Sequence, residues 1–322
     1  MVISYDRYLS ELRSHLWRYR QDVFGQSDDY FDLPMSTDHG RMPVFRRQHA
    51  DKNVLLRLGD SAREQDGVLG TLSRDKRHRH FASMRSSQAL AQSVFGNLKA
   101  HKSLDCLLDL RDGNGPLFPV VDADLVSMEH EIEHLGEQQR ARTSVDVMFC
   151  GGYRVAVECK LAEDDIGCCS RPKLKRDDPE WCDGDYKYQM ERSDRCALSA
   201  RGIRYWAFVP ELTSWTAESD HIPCPLHRTY QLARNLLAAC IRPNNDVPTV
   251  DPGHGHVVLI ANERNPAFQE GGQGHEAVQA AREGLRDPTR LRVCSWQQVI
   301  AAMRKDPHLA WLTDGLHLKY GF

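Results

Sequence analysis

The feature that most constrains the fold is a pair of β-type segments separated by two glycines. Residues 144–150 (Ser-Val-Asp-Val-Met-Phe-Cys) and 153–161 (Tyr-Arg-Val-Ala-Val-Glu-Cys-Lys-Leu) carry the β-branched and aromatic residues of strands, and Gly151 and Gly152 form a hairpin turn signal between them. So short a connection makes the two segments antiparallel neighbours. The two-residue period of a strand puts Val155, Val157 and Cys159 on one face and Arg154, Ala156, Glu158 and Lys160 on the other. Asp146 is the only charged residue of the first segment and lies between Val145 and Val147, where a carboxylate is costly unless it is paired or bound to a cation. Closing the hairpin lets Asp146 approach the face that carries Glu158 and Lys160.

Around this hairpin the pattern predicts a mixed α/β protein. Residues 1–25 read as an amphipathic helix with Leu9, Leu12, Leu16 and Tyr19 on its apolar stripe, and 28–70 as an irregular stretch without a sustained period. A basic run, 74–80, follows. Residues 86–98 read as a helix opened by a serine cap, with Ala89, Leu90, Val94 and Leu98 apolar and with Gln88 and Gln92 together on one face. Residues 126–135 alternate loosely. Strands are expected at 203–209, 256–261 and 291–294, and helices at 229–240 and 296–303. The division that results is an N-terminal helical and irregular extension, 1–80, and one α/β domain, 81–322, with a cysteine-bearing insertion at about 166–224.

Composition narrows the function classes. Forty-two Lys and Arg against 45 Asp and Glu leave a formal charge of −3, so any surface for a polyanion is a local patch. No apolar run approaches a membrane span, and the first residues are charged throughout, which leads us to expect a cytoplasmic protein. In a reducing compartment ten cysteines are buried apolar residues, redox groups or metal ligands rather than disulfides. Neither a phosphate-binding Gly-Lys-Ser/Thr loop nor a Gly-x-Ser-x-Gly elbow occurs. His78, His80, His130, His134, His254 and His256 include close pairs, but none has a third ligand at metal-binding spacing.

Two carboxylates meeting beside an ammonium group suit the hydrolysis of phosphodiesters, because hard oxygens hold Mg²⁺ or Mn²⁺ and a lysine can orient the attacking water. A structural salt bridge of Lys160 with either acid is the competing reading. Asp146, eleven residues, then Glu158-Cys159-Lys160 on consecutive strands resembles the PD-(D/E)XK nuclease superfamily, with its acid on the second core strand and Glu-x-Lys on the third. Residues 86–89, 142–147 (Arg-Thr-Ser-Val-Asp-Val) and 230–235 (Tyr-Gln-Leu-Ala-Arg-Asn) resemble a restriction-endonuclease-like bacterial group within it, over roughly residues 80–300.

The resemblance implies a restriction-endonuclease-like mixed β-sheet flanked by helices, and a Mg²⁺-dependent nuclease acting on DNA. Asp146, Glu158 and the backbone carbonyl of Cys159 would hold the metal, and Lys160 would position the water. Many members carry a glutamate on the preceding helix; Gln88 stands there in this chain, with Glu131 and Glu133 as alternatives. Some members hold an iron–sulfur cluster on four cysteines, which makes Cys168 or Cys169 with Cys182, Cys196 and Cys224 a candidate set for a 4Fe-4S cluster or Zn²⁺. Cys106, Cys150, Cys159, Cys240 and Cys294 read as small apolar residues. The basic residues from Arg171 to Arg176, Arg201 and Arg204 beside Tyr205 and Trp206, and Tyr230 with Arg234, have the chemistry of phosphate contacts and base stacking, although Trp206 within its apolar run reads as core and Tyr230 with Gln231 as a packed helix start; in the resembling group a Tyr-Gln pair stands here, close to the site. Two alternatives from other classes are a nucleic-acid-binding module of the same fold that does not cut, and a structural or regulatory metal–thiolate protein.

Overall fold

The structure, a computed structural model, describes residues 3–35, 40–137, 143–188, 194–244 and 247–322. Arg142, part of one resembling segment, lies outside them. The chain begins with α1 (Tyr5–Phe24) and α2 (Ala62–Leu69), then a buried helix made of α3 (Ser87–Ala91), a π turn (Gln92–Gly96) and α4 (Asn97–Ala100). Two short paired strands, β1 (Arg111–Asp112) and β2 (Gly115–Pro116), precede β3 (Val126–Glu131), β4 (Ser144–Cys150) and β5 (Arg154–Cys159). Next come α5 (Tyr205–Leu212), α6 (Leu226–Cys240), the hairpin β6 (Ile241–Asn244) and β7 (Val247–Val250), and β8 (Gly255–Ala261). The chain closes with α7 (Gln273–Gly284), β9 (Leu291–Ser295), α8 (Trp296–Met303) and α9 (Ala310–Tyr320).

The main sheet has the order β3-β4-β5-β8-β9, with β3, β4 and β5 antiparallel and β5, β8 and β9 parallel. Parallel strands need both faces covered. β8 meets that need with every residue buried. On one face Val147, Val155, Val157, Val258 and Ile260 pack with Leu12 and Leu16 of α1, Leu90 of α3, Leu98 of α4, Val299 of α8 and Leu312 of α9. On the other, Met148, Ala156, Val257 and Leu259 pack with Val209 of α5, Leu232 and Leu236 of α6, and Val278 of α7. Burying each of the Val, Leu, Ile and Met side chains among them contributes about 1.5–3 kcal/mol. The sheet is therefore the middle of three layers, and α1 from the N-terminal extension is built into one of the outer two.

Local chemistry explains where elements differ from expectation. The expected strand at 203–209 is helix α5: Tyr205, Phe208, Val209 and Leu212 are all buried at helical spacing, and a short apolar run does not distinguish strand from buried helix by period. α2 forms inside the stretch read as irregular because Ser61 and Glu64 make a reciprocal capping box that no apolar period announces. The helix over 86–98 is present and its Ser86 hydroxyl accepts from Ala89 N at 3.2 Å. It is buried all round, and its polar residues hold the extension: Gln92 donates to Val68 O and Leu69 O, the Ser93 hydroxyl accepts from Leu55 N, and Asn97 donates to Leu55 O.

Candidate active site

Sheet register builds the site. Met128 lies opposite Val147 and His130 opposite Val145, which sets Glu129 across from Asp146; Val147 lies opposite Val157, which sets Asp146 across from Glu158. Residues directly opposite one another share a face. Glu129, Asp146 and Glu158 thus form a row across three adjacent strands, with Lys160 beyond Glu158 at the strand end. Glu129 has φ of 46°, a left-handed conformation unusual for glutamate, and strain of this kind gathers at functional sites.

Hydrogen bonds fix each member. Asp146 Oδ2 accepts from Cys159 N at 2.7 Å, bridging β4 and β5. Glu158 Oε1 pairs with Lys160 Nζ at 2.9 Å and accepts from Gln231 Nε2 at 2.7 Å, while Glu158 Oε2 accepts from Asn235 Nδ2 at 2.8 Å. Gln231 Oε1 in turn accepts from Lys160 Nζ at 3.2 Å. Gln231 and Asn235 are four residues apart on α6 and so face the same way. Gly167, at φ of 111°, lets its backbone pass against the Gln231 side chain, where any Cβ would collide. The Lys160 backbone is held from both sides, its N–H by Ile260 O at 2.8 Å and its carbonyl by the Trp296 indole at 2.9 Å. From α1, the hydroxyls of Tyr8 and Tyr5 donate to Leu161 O and Ala162 O, each at 2.6 Å.

Gln88 reaches this row through Glu129: its Nε2 donates to Glu129 Oε1 at 2.5 Å, and its Oε1 accepts from His78 N at 2.8 Å. The Ser144 hydroxyl donates to the other Glu129 oxygen. Glu131 pairs with Lys76 at 3.3 Å and Glu133 is exposed beside His134, so of the acids on and after β3 it is Glu129 that joins Asp146. Glu129 was missed from sequence because its place depends on the register of β3, which no local turn fixes. The available signal was a glutamate between Met128 and His130 in a loosely alternating segment.

The electrostatics are those of crowded anions. Burial pushes the Asp146 carboxyl well above the usual carboxylate range, and the charges of Glu158 and Glu129 push it further; burial also raises Glu129, with Glu158 adding to it. Burial opposes the charge on Lys160, but Glu158, Glu163 and Asp146 outweigh it and raise the group above its ordinary value. Row and lysine lie in an open cleft of about 1200 Å³. Arg13, Arg41, Lys76, Arg79, His80 and Arg85 give it a basic rim, and Glu163, Asp164 and Asp165 add acid near the strand end.

Other sequence-predicted residues go elsewhere. The basic run 74–80 contributes Lys76, His78, Arg79 and His80 to the cleft, whereas Arg74 and Arg77 pair with Asp51. Arg171 and Arg201 both pair with Glu180, and Trp206 is core, as its apolar run suggests, stacked on Tyr186 with ring centroids 3.6 Å apart. His256 is buried between Tyr153 and Leu117 O, and His254 contacts Arg242. Cys159, Cys240 and Cys294 are buried, as their apolar settings suggest, while Cys106 and Cys150 are half-buried. Cys169, Cys182, Cys196 and Cys224 line a separate small cavity; Cys168 turns away, its thiol donating to Asp165 Oδ2 at 3.5 Å. Among the described residues, no group of three or more His, Cys, Asp or Glu side chains is placed to hold a metal ion.

A mixed sheet with this acid row at its centre invites comparison with known families. The family model described as Restriction Endonuclease associating with ARP matches residues 34–321. The chain belongs to this family. No curated protein and no solved structure matches it. The span shared with Restriction Endonuclease associating with ARP starts after α1 and takes in the acid row, Lys160, Gln231, Asn235 and the four thiols around the small cavity. Membership supports a nuclease-like protein that interacts with DNA. Among the described residues no helix is long and apolar enough to cross a membrane.

Proposed function

We propose that the chain is a Mg²⁺-dependent nuclease that hydrolyses DNA phosphodiester bonds in the cleft. The observation that carries this reading is the row Glu129–Asp146–Glu158, laid across three strands by register, with Lys160 at its end and a basic rim above it. The donor chemistry fits a hard divalent cation: carboxylates that raise one another's proton affinity form a site short of positive charge, and oxygen ligands are what Mg²⁺ and Mn²⁺ take. Asp146, Glu158 and the Cys159 carbonyl would hold the ion, with Glu129 beside them.

When bound, the ion supplies charge neutralisation at the phosphoryl oxygens and a water of lowered pKa. The chain's own residues do the rest. Lys160, held by Glu158 and Gln231, presents an ammonium that orients the attacking water by donating to it. Gln231 and Asn235 keep the Glu158 carboxylate in one orientation, and Gln88 with Ser144 does so for Glu129. Rim arginines take the phosphates on either side of the cut.

The test is incubation of the purified protein with circular, linear and single-stranded DNA in Mg²⁺, Mn²⁺ or chelator. Cleavage is expected with either metal and absent with chelator, and Asp146→Ala is expected to reduce it by about 100-fold or more, the scale of losing a preorganised charged group. Cleavage that survives Asp146→Ala overturns the assignment. Binding without cleavage in either metal points instead to a non-cutting module of the same fold.

A further inference from the structure

We infer that the N-terminal extension is the wall of the cleft that grips the DNA backbone, with Arg13, Arg41, Arg79 and Arg85 taking its phosphates independently of base sequence. The inference rests on the reading of the cleft as a nuclease site, and it gives a partner to α1, which lies outside the residues that the family model matches. All four arginines line the cleft together with the acid row and Lys160. Among the described residues none of the four pairs with a carboxylate, whereas Arg74 and Arg77 pair with Asp51, and Lys76 with Glu131. Cations left without acid partners along one cleft are what a polyphosphate backbone binds.

Helix periodicity brings α1 into the wall. Tyr5, Leu9 and Arg13 follow one another at intervals of four, so they share one face of α1, and all three line the cleft. The hydroxyls of Tyr5 and Tyr8 tie that helix to Ala162 and Leu161, directly after Lys160. Arg13 Nη1 donates to Gly40 O at 3.2 Å, and the Trp17 indole donates to Arg41 O at 2.8 Å, which fixes the Arg41 segment to α1. That segment is paired in turn with the one before α3: Val44 bridges Ser83, Phe45 N donates to Ala82 O at 2.9 Å, and Met84 N donates to Pro43 O at 3.0 Å. Turns closed by Phe81 N on His78 O and by Ser83 N on His80 O hold the backbone around Arg79. The four arginines therefore stand on one connected framework, and little of it has to be ordered when DNA binds.

Charge within the cleft gives the strand its side. Glu163, Asp164 and Asp165 gather past the strand end, where Glu163 accepts from Leu161 N, Ala162 N and the Ser87 hydroxyl, and Asp165 accepts from Gly167 N. Tyr5 stands where the two signs meet, within electrostatic reach of these three acids and of Arg85. Phosphates are repelled from the acid end and drawn towards the extension. The cleft amides that could read base edges are occupied: Gln88 by His78 N and Glu129, and Gln231 by Lys160 and Glu158. Contacts to phosphate position a strand and carry no sequence information of their own.

The test is the salt dependence of binding to labelled duplex and single-stranded DNA, each in two unrelated sequences, in chelator and again in Ca²⁺, an oxygen-ligated cation like Mg²⁺. Arg13→Gln and Arg41→Gln are each expected to lower the slope of log K against log salt by about 0.9 on duplex or about 0.7 on single strand, equally for both sequences. Arg13→Lys should recover the slope. Arg74→Gln, which removes the same charge outside the cleft, should keep the wild-type slope. Should Arg13→Gln fold poorly, Arg41→Gln, whose side chain is exposed, decides alone. Wild-type slopes in the glutamine variants overturn the inference. So does an equal loss in Arg74→Gln, a loss confined to one sequence, or no DNA binding by wild type in either condition. Cleavage in Mg²⁺ is scored separately: a wild type that cuts, with unchanged slopes in the variants, rejects this wall and leaves the nuclease reading, and arginine-dependent binding without cutting does the reverse.

Discussion

Glu158 illustrates how much one buried side chain asks of its neighbours. It is 1% exposed, and each of its oxygens has a donor: Lys160 and Gln231 at one, Asn235 at the other. A buried acceptor deprived of its donor loses about 1–3 kcal/mol. Asn235→Ala is accordingly expected to lower the unfolding free energy of the metal-free protein by that amount in a urea titration; an unchanged midpoint would show that Asn235 does not support Glu158. Asp146, Glu158 and Lys160 were legible in the sequence because a two-glycine turn fixes their strands locally and the period of two does the rest. Asn235 was not singled out. Its role depends on how α6 is rotated over the sheet, which the helix's own apolar stripe leaves open by tens of degrees.

Elements show the same division between local and long-range information. The strand at β8 and the helix at α8 carry their own signals, an apolar run from Val257 to Ala261 and a Ser295–Gln298 capping box. α5 does not, because Tyr205, Trp206, Phe208 and Val209 suit either structure and only packing against α6 decides between them. How closely α6 lies on the sheet is visible at Gly255, where β8 begins beside β5. A Cβ there would stand 2.6 Å from Arg154 O, 2.8 Å from Ala239 O and 3.0 Å from Ala239 Cβ. Backbone atoms cannot swing aside, so Gly255→Ala is expected to cost about 1–3 kcal/mol or more, read as a lowered thermal midpoint. A midpoint equal to wild type would mean that the two layers are less tightly apposed than the structure has them.

At the scale of the whole molecule, the extension and the sheet domain share one core, and their ends are joined by a buried lysine. Lys319 in α9 donates to the carbonyl and to the side-chain Oδ1 of Asn53, with the rings of Tyr19 and Tyr320 close by. Burial depresses its pKa from 10.5 to about 7. Between about pH 7 and 10.5 the unfolded chain therefore holds a proton that the native state has released, and unfolding becomes harder as pH rises; below 7 both states hold it and the dependence vanishes. Buried thiols and tyrosines act in the opposite sense at alkaline pH, so the quantity to measure is the difference between wild type and Lys319→Met. Wild type is expected to gain on the variant between pH 7 and 9, by at most about 1.4 kcal/mol per unit; parallel curves would contradict the assignment.

Under the proposed function the same framework positions a nuclease site. The most direct test of it is single-turnover cleavage of DNA in Mg²⁺ by wild type beside Lys160→Ala, with unfolding midpoints and DNA affinities measured on both. The variant is expected to cut about 100-fold or more slowly at similar DNA affinity, the scale expected when a positioned polar group is lost. Equal rates would contradict it.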